Sequence, residues 1–236
     1  MDTIPEMEQA SHLRSSLPAL SESRFARFSC IMLLYFMQGL PWGLTVLAIP
    51  AWLAANEASP VLVGGFVATS GLPWALKLFN GLIMDRFTFR PMGRRRVWII
   101  IAQSIMVLTL IGLVILSPAP DQIGLLTMMA FTLNLCAVFN DVATDGMTID
   151  LVPDAEKTRI NGLMFASQTI GISATGLIGG YLLASGHISR FALIMAVFAA
   201  CASVFVCVFR ERPGEKLLPW TAGQASAECE ARQYAA

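Results

Sequence analysis

Long apolar runs, rather than short alternating ones, organise this chain. Six stretches of mostly apolar residues recur between short polar segments: Phe28 to Leu53, Pro60 to Met84, Val97 to Leu116, Ile123 to Asp145, Gly162 to Ala184 and Phe191 to Phe209. A helix rises ~1.5 Å per residue, so ~20 such residues cross the ~30 Å hydrocarbon layer of a bilayer. The pattern predicts an all-α membrane protein with six transmembrane helices spanning residues 28–209. A polar segment, residues 1–27, precedes them, and a polar tail, residues 210–236, follows. The tail carries Glu211, Pro213, Gly214 and Glu215 and holds no apolar period, which predicts a disordered end. At the other terminus, Asp2, Glu6, Glu8 and Glu22 precede an apolar run too long for the h-region of a signal peptide, so the first helix is expected to remain in the mature protein.

Composition sharpens this picture. The chain has 236 residues, 56% hydrophobic and 14% charged, against ~25% charged in soluble domains. An ordinary soluble globular protein is excluded, and membrane lipid is the expected surrounding. Sixteen Lys+Arg balance sixteen Asp+Glu, leaving no basic excess to neutralise a phosphate backbone, so no nucleic-acid partner is expected. Cys30, Cys136, Cys201, Cys207 and Cys229 are odd in number and lack CxxC spacing; they read as small hydrophobes rather than disulfides or metal ligands. No HExxH, GxSxG, P-loop or dinucleotide fingerprint is present, and His12 and His187 lie far from any carboxylate pair, so neither an enzyme nor a cofactor is expected.

Positive charge falls on alternate connections. Arg14, Arg24 and Arg27 precede the first span; Arg86, Arg90, Arg94, Arg95 and Arg96 follow the second; Lys157 and Arg159 follow the fourth; Arg210, Arg212, Lys216 and Arg232 follow the sixth. The opposite connections hold only Arg190. The positive-inside rule therefore places both termini in the cytoplasm.

Polar residues inside the spans are the candidate functional groups. Lys77 lies eight residues before Asp85, about 12 Å along the helix. It either snorkels back to the interface or lines an aqueous path as a cation for an anionic solute or a carboxylate. Asn134, Asp141 and Asp145, spaced by seven and four residues, share one helix face within ~40°. They stand either in the headgroup zone or on a path where a carboxylate exchanges a proton, as a proton-coupled carrier requires. Asp150 points to nearly the opposite face and reads as a loop residue. In span one, Gly39, Pro41 and Gly43 predict an interruption, with Tyr35, Gln38 and Trp42 along one face; such a break serves either a transport site or simple packing. Trp52, Trp74 and Trp98 read as interface or packing groups. In span five, Ser167, Gly171, Thr175 and Gly179 recur every four residues and predict close helix packing, while Gln168 is placed to line a cavity. Gly64-Gly65 and Gly179-Gly180, each in the middle helix of a set of three, are compatible with a three-plus-three inverted repeat.

The run GLIMDRFTFRPMGRRR, Gly81 to Arg96, resembles the loop between helices two and three of the major facilitator superfamily. The general pattern has one residue where this chain has six, Phe87 to Met92. That longer spacing, GRRR, and Trp98 resemble the muropeptide permease and acetyl-CoA transporter branch. Gly39 to Pro41, Lys77, and DVATDGMTIDLVP from Asp141 to Pro153 add to the likeness.

The resemblance implies one facilitator-type half bundle and a secondary transporter of a small solute, such as a sugar-peptide or siderophore, in the bacterial inner membrane. It implies a conformational latch of Gly81, Asp85, Arg86, Gly93, Arg94 and Arg95. The helix-four arginine of many proton antiporters has no counterpart between Val97 and Lys157, which favours symport. Tyr35, Gln38, Trp42, Lys77, Asn134, Asp141, Asp145 and Gln168 are then the expected solute or proton path. Because superfamily members have two six-helix halves, this chain is expected to act as a homodimer, with a separately encoded half, or not to transport at all. The alternative is a membrane scaffold that binds a partner through the small-residue face of span five.

Overall fold

The computed structural model describes residues 19–234. Asp2, Glu6, Glu8, His12 and Arg14 lie outside the described residues, as does the side chain of Arg232. Every described element is helical. Helix α1, Arg24–Gly43, continues through a π-helical turn, Leu44–Ala48, into α2, Ile49–Ala55. Then come α3, Pro60–Ala75; α4, Lys77–Arg86; α5, Arg96–Leu116; α6, Ile123–Leu151; α7, Asp154–Ala184; α8, Ile188–Val208; and α9, Ala227–Tyr234. The starts of α1 and α3 are set locally. Ser23 and Ser59 accept the amides of Ala26 and Leu62 at 3.3 Å, and Pro60 occupies the first turn of α3, where its missing N–H costs nothing.

Five segments are long and apolar enough to cross a membrane: Arg24–Ala55, Pro60–Arg86, Arg96–Leu116, Ile123–Leu151 and Ile188–Val208. Helix α7, 31 residues long, contains the sixth expected span but is less apolar, because Ser167, Gln168, Gly171, Thr175 and Gly179 fill its inner face. That face packs on α1. A Cβ on Gly43 would stand 2.5 Å from the Ile172 carbonyl oxygen and 2.8 Å from Thr175 Cβ, and one on Gly39 would stand 2.8 Å from the Ile172 nitrogen. On the α7 side, a Cβ on Gly179 would meet Ala48 Cβ at 2.5 Å. Small residues bring the two backbones together, as their spacing predicted. The face is thereby occupied within the chain, which leaves no free small-residue stripe there for a scaffold partner.

The same packing corrects the reading of span one. Its helix is not interrupted at Gly39, Pro41 or Gly43; it runs on and widens to π geometry beyond them, with the Thr45 hydroxyl donating to the Pro41 carbonyl at 2.8 Å. The glycines serve close approach to α7. The glycine pairs also differ: Gly64 and Gly65 face open space, whereas Gly179 is packed.

The tail is not a disordered end. Leu20 and Ser21 donate backbone N–H groups to the carbonyls of Arg210 and Glu211 at 2.9 and 3.0 Å, and Lys216 donates its amide to Pro91 at 2.7 Å. Glu211 and Glu215 are buried. Polar anchoring replaces the apolar period that the tail lacks.

Candidate functional site

The break expected in span one occurs in span two. Pro73 removes one helical donor and crowds the carbonyl one turn earlier. Leu76 then leaves helical geometry at φ −93°, ψ 7°, separating α3 from α4. Lys77 is the first residue after the break, and its side chain is directed at α6. Its ammonium forms an ion pair with Asp141 and lies 3.3 Å from Asp145 Oδ2. The Tyr35 hydroxyl, from α1, donates to Asp145 Oδ1. Asp141 and Asp145 are one helical turn apart, so one lysine reaches both. The Asp141 side chain is 6% exposed, against 37% for Asp145 and 41% for Lys77. The cluster therefore has a buried carboxylate at one side and water access at the other.

A second tier lies seven residues away along both α1 and α6, about 10 Å. There Trp42 stacks on Trp74 with ring centroids 4.9 Å apart and planes 11° from parallel. Trp74 Nε1 donates to Asn134 Oδ1 at 3.0 Å. Trp74 was not among the expected path residues, because a lone tryptophan in an apolar span gives no sign of a stacking partner on another helix. Gln38 lies on the same side of α1, fully buried, with neither amide atom hydrogen-bonded among the described residues. Gln168 is buried in the α1–α7 seam, its carbonyl against Gly39, and shares no hydrogen bond with the lysine cluster among the described residues. Of the expected path residues, the structure thus joins Tyr35, Lys77, Asp141 and Asp145 in one cluster and Trp42 and Asn134 in another.

The arginine-rich loop forms a separate polar centre. Asp85 pairs with Arg94 at 3.3 Å and Arg95 at 2.8 Å. Arg94 also approaches Asp150 at 3.9 Å. Asp150 is consequently a member of the last turn of α6 and not a loop residue; its face, opposite to that of Asp141, is the one the loop covers. Arg95 lies across Gly146, where a Cβ would stand 2.5 Å from its Nε. Gly93 takes φ +93°, and Arg86 is exposed. Gly81 has only ordinary contact with Val142, 3.9 Å from where a Cβ would be.

Glu211, which the sequence gave no reason to select, anchors this loop. Its carboxylate accepts the amides of Arg94, Arg95 and Arg96 at 3.1, 3.0 and 2.7 Å. Burial pushes the Glu211 carboxyl above its ordinary range, against the pull of those amides and Arg212. Arg96 is buried and donates to the carbonyls of Val206, Cys207, Lys216 and Leu217, tying α5 to the end of α8 and the tail. Orphaned buried donors cost ~1–3 kcal/mol each, so Glu211→Ala should speed hydrogen exchange at the Arg95 and Arg96 amides by about a hundred-fold. Exchange unchanged by that substitution would show that the carboxylate does not hold the loop. Burial, and then the Glu211 charge, push Glu215 up to about 7 from 4.5. The folded tail thus keeps a proton that the free tail loses, and the stability this gives declines as pH rises from about 4.5 to about 7. Tail exchange, corrected for the intrinsic pH effect, should be faster at pH 8 than at pH 5, and Glu215→Gln should flatten the difference.

The chain is similar to known proteins. The family model described as Major Facilitator Superfamily matches residues 31–232. An anhydromuropeptide permease of Escherichia coli (strain K12) is 24% identical over 150 residues, covering 64% of this chain and 30% of the relative. AmpG 4 of Rickettsia felis is 24% identical over 189 residues, covering 77% of this chain and 45% of the relative. An uncharacterised Haemophilus influenzae protein is 27% identical over 180 residues, covering 74% of this chain and 40% of the relative. The chain thus spans less than half the length of these curated relatives. No solved structure matches it.

Proposed function

We propose that this chain, which belongs to the Major Facilitator Superfamily, forms one half of a secondary transporter in which Lys77, Asp141 and Asp145 receive solute and proton in turn. The observation that carries this reading is the single ammonium held between two carboxylates of another helix, beside a helix break. With both carboxylates ionised the cluster holds one negative charge in excess. A proton, or the cationic group of a solute, balances it, and each state of balance favours a different arrangement of α4 against α6. Pairing in one arrangement and solvation in the other is what alternating access requires of a polar group inside a membrane.

The solute class we assign is a sugar-peptide related to the muropeptides, in symport with protons, across the bacterial inner membrane. The likeness to an anhydromuropeptide permease supports it, as does the chemistry of the two tiers. A stacked tryptophan pair suits the apolar face of a sugar ring, with Asn134 and Gln38 as hydrogen-bonding groups. Lys77 suits a peptide carboxylate, with Tyr35 orienting Asp145. Gln168 sits at the edge of this path.

Helix α7 serves as the sixth span and both termini are cytoplasmic, so that the Gly81–Arg96 latch and its Glu211 anchor lie on the cytoplasmic side. The path is closed by a second six-helix unit, either another copy of this chain or a separate half. The outward apolar side chains Leu72, Leu78, Phe79 and Leu82 of α3 and α4 are available to it. Asp141→Asn removes the group that exchanges charge while keeping its size and its place beside Lys77. Uptake by this variant is expected to lose its dependence on a pH gradient, falling about ten-fold under a gradient and little without one. Retained gradient dependence would remove Asp141 from the proton route.

A further inference from the structure

We propose that the groove between the N-terminal ends of α1 and α7 binds an anionic phospholipid, with its phosphate at Arg24 and Arg159 and an acyl chain along Phe28, Met32 and Leu163. The groove has a volume of about 470 Å³. Its rim carries uncompensated positive charge. Glu156 is shared by two guanidinium groups, Arg24 at 3.0 Å and Arg27 at 3.4 Å, and so neutralises only one of them. Lys157 is matched by Asp154 at 2.6 Å. Arg159 is exposed and has no carboxylate partner among the described residues. Arg24, Arg27 and Arg159 are thus matched at this end by the single Glu156 carboxylate among the described ion pairs.

The other end is apolar. Met32 lies eight residues beyond Arg24, about 12 Å along α1, and with Leu163 it forms a floor without a charged group. Between the two ends, the Arg24 guanidinium rests over the Phe28 ring, 5.3 Å from its centroid, which holds the cation at the mouth. Phe25 is 83% exposed beside it, a ring suited to the headgroup boundary. Cations at the membrane boundary above an apolar furrow match the polarity of one phospholipid molecule along its length. A soluble anion would use only the upper end, and an uncharged lipid only the lower.

Native mass spectrometry of the full chain released from nanodiscs containing equal phosphatidylglycerol and phosphatidylcholine tests this. Retention of phosphatidylglycerol over phosphatidylcholine is expected. A basic side chain near the surface contributes ~1 kcal/mol to anionic-lipid binding, a factor of about five. Arg159→Ala should therefore weaken retention about five-fold, and Arg24→Ala with Arg159→Ala about twenty-five-fold. Arg159→Glu, at an exposed position, keeps the test independent of any loss of folding through Glu156. Arg190→Ala, on the opposite connection, should change nothing. Equal retention of the two lipids, or retention untouched by Arg159→Glu, overturns the proposal. Retention that emerges only after removal of residues 1–18 would assign the groove to that acidic segment and overturn it as well.

Discussion

Lys77→Ala is expected to lower solute uptake at least a hundred-fold while the protein still reaches the membrane. The ammonium is the one cation between Asp141 and Asp145, and the Asp141 side chain is 6% exposed. Breaking a buried ion pair from one side costs ~3–5 kcal/mol, because the remaining charge is left without a partner. The half-exposed Asp145 tempers this, so about 3 kcal/mol is the expected loss of stability. Lys77→Ala combined with Asp141→Asn should recover most of that stability, since no unpaired buried charge is left, yet uptake should stay absent. That separation distinguishes a functional lysine from one that only stabilises. Normal uptake by Lys77→Ala would mean that the side chain merely snorkels, with its carboxylate partners incidental to transport.

The second large effect concerns the seam that carries the site. A Cβ on Gly171 would collide with the Phe36 carbonyl oxygen and stand 3.2 Å from the Gly39 Cα and 3.3 Å from the Phe36 carbonyl carbon. These are backbone atoms and cannot rotate aside, so Gly171→Leu has to separate α1 from α7. Overpacking of this kind costs ~3 kcal/mol or more where no rotamer relieves it. It also moves Tyr35, on α1, away from Asp145. Loss of monodisperse protein after mild heating in detergent is the expected outcome, with activity lost alongside. Gly180→Leu is the control, about two and a half turns further along the same helix with nothing within 4 Å of its Cβ position. Similar heat resistance of the two variants would contradict the close seam described here.

Five of the six expected spans were legible in the sequence because the thickness of a bilayer sets a minimum apolar length. The grouping of Asn134, Asp141 and Asp145 was legible because helical periodicity places them on one face. What periodicity cannot supply is the relation between helices. Pro41 and Pro73 look alike in sequence, yet α1 stays helical past Pro41, packed on α7 and widening to a π turn, whereas span two breaks at Leu76. Trp74 gained meaning only from Trp42, on another helix. Asp150 was read as a loop residue because its partner, Arg94, reaches it through tertiary packing. Glu211 stands 115 residues from the Arg96 amide that it accepts, in a tail whose composition resembles disorder. Anchoring by one buried carboxylate leaves no compositional trace.

In the proposed function the Lys77 cluster moves a sugar-peptide together with a proton. Uptake of a labelled anhydrodisaccharide-peptide into membrane vesicles from cells expressing this chain, with and without a protonophore, tests it most directly. Saturable uptake that the protonophore collapses and that Lys77→Ala lacks is the expected result. Uptake no greater than in vesicles without the chain, with the folded chain present in the membrane together with the unit that closes its path, would contradict it.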